Sequence, residues 1–173
     1  MTYGEYKEIL NYELYRHFTG KLTLLQKIRI RYFQPNTNCM LMARKMWYYY
    51  QRGGVFTILS KILYLRIIRR YGCVLFPSAK IGRGFHITHP TGIVLGNCRA
   101  GTDFMIYQNC SVGGKRPGDD WPEFGNNVHL CTGSVVLGHI KIADDVVIGA
   151  QSLVVKDITE SGIYGGNPLK RLG

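Results

Sequence analysis

Residues 128–155 read VHLCTGSVVLGHIKIADDVVIGAQSLVV, and within them Leu130, Val136, Ile142, Ile148 and Val154 place an aliphatic side chain at every sixth position. A helix returns a side chain to the same face every 3.6 residues and a strand every 2, so neither explains a sustained period of six. Six residues make one short strand plus one tight corner, and three such units close a triangular coil. The pattern predicts a parallel β-helix built on hexapeptides. The aliphatic residue fills the interior of the prism, and the small or polar residue after it, as in Ile148-Gly149, lets the corner turn.

The period extends upstream. Leu75, Ile81, Ile87 and Ile93 form one series; after a one-residue slip Ala100, Ile106 and Val112 continue it, and Phe124 opens the final run. An ordinary β-sandwich spaces its strands more loosely, at roughly 8–12 residues. One segment, GKRPGDDWPEFG at 114–125, breaks the register and is rich in glycine, proline and charge. It is expected to leave the prism as an external loop. The β-helical domain is expected over residues 73–173, including a C-terminal tail.

Residues 1–72 have a different texture. Gly20, Pro35-Asn36, Gly53-Gly54 and Gly72 punctuate four apolar and basic stretches, which predicts four helices. The net charge is +11, and this segment carries most of it, with 13 Lys and Arg against 3 Glu; residues 73–173 carry 9 against 8. The five cysteines follow no metal-binding spacing, and reduced, mostly buried thiols of a cytoplasmic protein are expected. The longest apolar run, VFTILSKILYLRII at 55–68, is too short to span a bilayer and is interrupted by Lys61 and Arg66.

With the repeat established, FPSAKIGRGFHITHPTGIVLG, YQNCSVGG, the external loop, the run 128–158 and the ending GGNPLKRLG together resemble the left-handed β-helix acyltransferases. Within them, the chain resembles the branch of serine O-acetyltransferases and related polysaccharide O-acetyltransferases. The resemblance implies a mainly β fold, a left-handed parallel β-helix with an N-terminal α-helical segment. It also implies a homotrimer with active sites between subunits, and acetyl-CoA as co-substrate with no metal. His89, immediately before TGIVLG, takes the place of the general base that removes the proton from the acceptor hydroxyl; an imidazole titrating near neutral pH suits that task. Backbone N–H groups at Gly113-Gly114 are the expected oxyanion donors. Thr132, Gly133 and Ala150 match the small corner residues against which the pantetheine arm lies, and Lys156, Lys170 and Arg171 are the expected phosphate partners. His86 matches no role.

The departures from serine acetyltransferases bear on the substrate. Val74 stands where they carry an aspartate that orients the base, Thr88 where an aspartate holds the serine amino group, and Asp120-Trp121-Pro122 where Arg-His-Pro contacts the substrate. The loss of those charges favours a sugar hydroxyl of a capsular or exopolysaccharide, or its precursor, with Trp121, Asp120 and Glu123 binding the glycan acceptor. Serine O-acetylation is the alternative. The histidines also permit comparison with a zinc-dependent β-helix carbonic anhydrase, whose spacing they do not reproduce, and a catalytically silent trimer is a further alternative. The basic helices either pack on the first coil with their charges solvated, or touch an anionic membrane, placing the protein at its inner face. No nucleic-acid-binding fold is in view.

Overall fold

The computed structural model describes residues 1–15, 22–116 and 121–173. Four helices, α1 (Tyr3–Tyr15), α2 (Leu24–Phe33), α3 (Pro35–Arg52) and α4 (Phe56–Tyr71), precede a left-handed parallel β-helix of about five turns. Thr23 and Gln26 close a reciprocal cap on α2, and Gly72, at φ 64°, ends α4 by donating its N–H to the carbonyl of Ile68 at 2.9 Å. Helix α3 begins at Pro35, earlier than the punctuation suggested. A proline at the first helical position forfeits no hydrogen bond, so it opens this helix as well as closing α2.

The prism has three parallel faces. The first contains β1 (Val74–Leu75), β4 (Val94–Leu95), β7 (Ser111–Gly113), β10 (Val135–Leu137) and β13 (Leu153–Val154). The second contains β2 (Lys80–Ile81), β5 (Arg99–Ala100), β8 (Glu123–Phe124) and β11 (Lys141–Ile142). The third contains β3 (His86–Ile87), β6 (Met105–Ile106), β9 (His129–Leu130), β12 (Val146–Ile148) and β14 (Gly162–Gly165), with β15 (Lys170–Arg171) returning antiparallel at its end. In every coil the chain passes from the third face to the first, then to the second.

The register explains both the period and its irregularities. Val136 pairs with Val154 one coil on, a regular 18-residue turn. Leu75 pairs with Leu95, and Leu95 with Val112. Counting six from Ile87 lands on Ile93, which is buried, yet the interior position of β4 is Leu95. The corner at 88–93 therefore holds two extra residues, and the next step is one short. Glu123 and Phe124 are also regular strand residues, paired with Arg99 and Ala100, so the chain has rejoined the prism before the expected end of the external loop.

The core runs unbroken from prism to helices. Leu75, Leu95, Ile87, Ile106, Leu130 and Ile148 are fully enclosed, and α3 adds Cys39, Met40, Ala43, Met46 and Trp47 from one face. Each enclosed aliphatic side chain contributes about 1.5–3 kcal/mol, an upper bound given a compact unfolded chain. The Trp47 indole donates to the carbonyl of Phe76 at 2.9 Å and meets the Phe85 ring edge-on at 5.3 Å. All five cysteines are free.

Corners stack closely enough that side-chain size matters. A Cβ at Gly101 would lie 2.8 Å from the carbonyl oxygen of Gly125, whereas one at Gly113 would meet nothing within 4 Å. Gly101→Ala is expected to destabilise the fold by about 1–3 kcal/mol. Thermal unfolding followed by circular dichroism, with Gly113→Ala as the near-neutral control, measures the difference.

Candidate active site

His89 stands on the enlarged corner between β3 and β4, where the third face turns into the first. Its ring is exposed, while its carbonyl accepts the Thr91 N–H at 2.9 Å, which fixes the turn. Pro90 is buried beneath it. On the same edge, Thr88 Oγ1 and Gln108 Oε1 are buried and make no hydrogen bond. Val74, one coil earlier and paired with Val94, is on the first face, and its side chain carries no acceptor for an imidazole N–H.

The later coils stack their corners on this edge. Asn109 N donates to Thr91 O at 3.0 Å, Gly133 N to Gln108 O at 3.0 Å, and Gln151 N to Thr132 O at 2.9 Å. These bonds put Gln108, Thr132 and Ala150 in register with Thr91, two residues after His89 on the same corner, at about 4.8 Å per coil. Gly133, at φ 68°, leaves this column without a side chain. Lys170, paired with Gly165, closes the column at its far end.

Other expected residues lie elsewhere. Gly113 ends β7 and Gly114 follows it on the opposite edge of the first face, where the chain leaves for the second. Lys156 sits on that opposite edge too, between β13 and the Ile158 bridge. Arg171 is bound to Glu160 at 2.5 Å and to the Ser161 carbonyl at 3.0 Å. Within one chain, His89 and Gly113-Gly114 are not brought together.

That opposite edge holds a cavity of about 440 Å³. Trp121 and Glu123 line it, as does His139; Asp120 falls outside the described residues. Trp121 also packs on Phe76 with ring centres 6.3 Å apart. The sequence reading missed Lys80 and Arg99, which line the cavity with Ser78 and Asn97. The strand register produces this charge arrangement: Lys80, Arg99, Glu123 and Lys141 occupy equivalent positions on four adjacent strands. Each immediately precedes the interior residue of its hexad, and that shared phase is the signal that could have found them. Among the described residues no group of three or more His, Cys, Asp or Glu side chains converges, and no helix is long and apolar enough to cross a membrane.

No family model matches the chain. It is 33% identical over 135 residues to serine acetyltransferase 4 of Arabidopsis thaliana, covering 76% of this chain and 37% of that protein. It is 41% identical over 100 residues to the serine acetyltransferase of Staphylococcus epidermidis, covering 56% of this chain and 47% of that one. The chain thus spans less than half the length of these curated relatives. The crystal structure of Neisseria gonorrhoeae serine acetyltransferase superposes with a TM-score of 0.81 at 25% identity, over 99% of this chain and 68% of that one. These likenesses overturn the expectation of a polysaccharide hydroxyl as acceptor, because relatives and structures alike carry the serine acetyltransferase name. The physical reason the sequence misled is the cavity: the lost acidic and basic positions are not its only charges, since Glu123 faces it together with Lys80 and Arg99.

Proposed function

We propose that the protein is an acetyl-CoA-dependent O-acetyltransferase acting on serine, and that it works as a homotrimer. The observation that carries this reading is a cavity with charges of both signs in a chain whose relatives are serine acetyltransferases. A zwitterionic amino acid needs a cation for its carboxylate and an anion for its ammonium. Lys80 and Arg99 are assigned the first task and Glu123 the second. Trp121 bounds the pocket.

Base and cavity occupy opposite edges of one prism face, so a single chain does not bring them together. Packing three prisms side by side sets one edge against the other edge of a neighbour, and His89 of one protomer then serves the cavity of the next. The coenzyme arm runs from the His89 corner along this edge, past Thr132, Gly133 and Ala150, with Lys170 at its phosphate end. In the reaction His89 takes the serine hydroxyl proton as that oxygen bonds to the thioester carbon. The oxyanion is received by peptide N–H groups at Gly113-Gly114. The carbon–sulfur bond then breaks, and the proton passes from the imidazolium to the coenzyme sulfur, leaving O-acetylserine and free coenzyme.

Incubating the purified protein with acetyl-CoA and L-serine, while following free thiol and the acetylated product by mass, tests the assignment. Serine-dependent thiol release is the expected result, and its absence would overturn the substrate. Glu123→Gln is expected to raise KM for serine by about tenfold or more with a smaller change in kcat, because it removes a contact made equally to ground state and transition state.

A further inference from the structure

A second cavity, of about 780 Å³, is lined by residues of all four helices and none of the β-helix, and falls within the usual size range of small-molecule sites. Five cations line it: Arg31 from α2, Lys45 from α3, and Arg66, Arg69 and Arg70 from α4. Its floor is apolar, formed by Leu10, Leu14, Leu41 and Leu63. No carboxylate lines it among the described residues. Residues 22–72 as a whole contain ten Lys and Arg and no Asp or Glu, and residues 16–21, between α1 and α2, contain no acid either.

Like charges held together cost free energy unless a counter-charge joins them. Arg66, Arg69 and Arg70 project from adjacent turns of α4 at spacings of three and four, where side chains are neighbours. Arg70 is held by the Arg31 carbonyl at 2.7 Å, and Arg66 and Arg69 remain exposed with no carboxylate partner among the described residues. Guanidinium forks match phosphate oxygens two at a time. An apolar floor beneath such a rim suits a ligand whose charged head is attached to a hydrocarbon.

We infer that the helical half binds an organic phosphate carrying an apolar chain, with its head among Arg66, Arg69, Arg70, Arg31 and Lys45 and its chain over the leucine floor. The site is independent of the catalytic assignment, since none of these residues belongs to the β-helix.

Dodecyl phosphate, kept below its micelle concentration, is the probe, and binding is read by isothermal titration calorimetry on the full chain. Saturable binding is expected, at least about tenfold tighter than that of neutral dodecyl maltoside or of inorganic phosphate, and weakened by added salt. The double variant Arg66→Gln with Arg69→Gln, on exposed positions that leave the fold intact, is expected to lose about tenfold or more in affinity. Co-sedimentation with phosphatidylglycerol vesicles, against phosphatidylcholine vesicles, distinguishes a bilayer source of the ligand from a free one. Absence of dodecyl phosphate binding, or binding unchanged in the double variant, would overturn the inference. So would a wild-type oligomer that ignores the probe and falls apart in the double variant, since the cavity would then be a contact between copies.

Discussion

Replacing His89 with alanine is expected to lower kcat for acetyl transfer to serine by about 10²–10⁴-fold, the ordinary contribution of a positioned general base. The fold should hardly notice. The ring is exposed on a corner whose geometry is set by backbone, through the Thr91 N–H bound to the His89 carbonyl at 2.9 Å and by buried Pro90. Exposed substitutions of this kind change stability by about 0.5 kcal/mol or less. The paired measurement is therefore decisive: thiol release collapses while the melting temperature stays. Activity within about threefold of wild type would remove His89 from the mechanism. The enlarged corner gives the prediction a structural reason. Every later passage from the third face to the first takes six residues, whereas β3 to β4 takes eight, from His86 to Val94. The two extra residues lift the histidine out of the wall without disturbing the interior, because Ile87 and Leu95 still fill their positions.

That same irregularity marks where the sequence stopped being legible. Interior positions repeat because a prism of fixed cross-section needs one aliphatic side chain per wall, and Leu130 through Val154 announced it without ambiguity. Around His89, a step of eight followed by one of five differs by only one residue from two regular steps. Ile93, itself buried, then passed for the wall residue in place of Leu95. His89 was singled out by its motif alone. The cavity could not, because Lys80, Arg99, Glu123 and His139 belong to separate coils, and only the strand register brings them to one edge. The substrate was misjudged for the same reason: losing charges at three motif positions says nothing about charges supplied from positions outside the motif.

The largest stability effect is expected from Glu13→Ala. Glu13 and Arg44 are each 2% exposed and 31 residues apart in the chain, a pairing no local pattern announces. Arg44 donates from Nε to Glu13 at 2.9 Å, from Nη1 to the Ile81 carbonyl at 2.7 Å, and from Nη2 to the Gly82 carbonyl at 2.5 Å. Its guanidinium lies 5.3 Å from the Trp47 ring and 5.6 Å from that of Phe85. Glu13 in turn accepts the Phe85 N–H at 2.9 Å. Burial pushes the Glu13 carboxyl above its ordinary range, opposed by the guanidinium and by the backbone donors at Phe85 and Gly84. Removing the carboxylate leaves a guanidinium enclosed without a counter-charge, which costs about 3–5 kcal/mol. Equilibrium unfolding in urea measures it, and a loss below about 1 kcal/mol would refute the prediction. Adding Arg44→Met to Glu13→Leu should recover only part of the loss, because the carbonyls of Ile81 and Gly82 then lose their donors at about 1–3 kcal/mol each. An exposed pair would weaken in 1 M salt; this one should not, since ions do not reach it. The chain runs from that clasp through β3 directly to His89. Glu13→Ala should therefore reduce acetyl transfer through loss of folded protein, with kcat per folded molecule preserved, which separates its effect from that of His89→Ala.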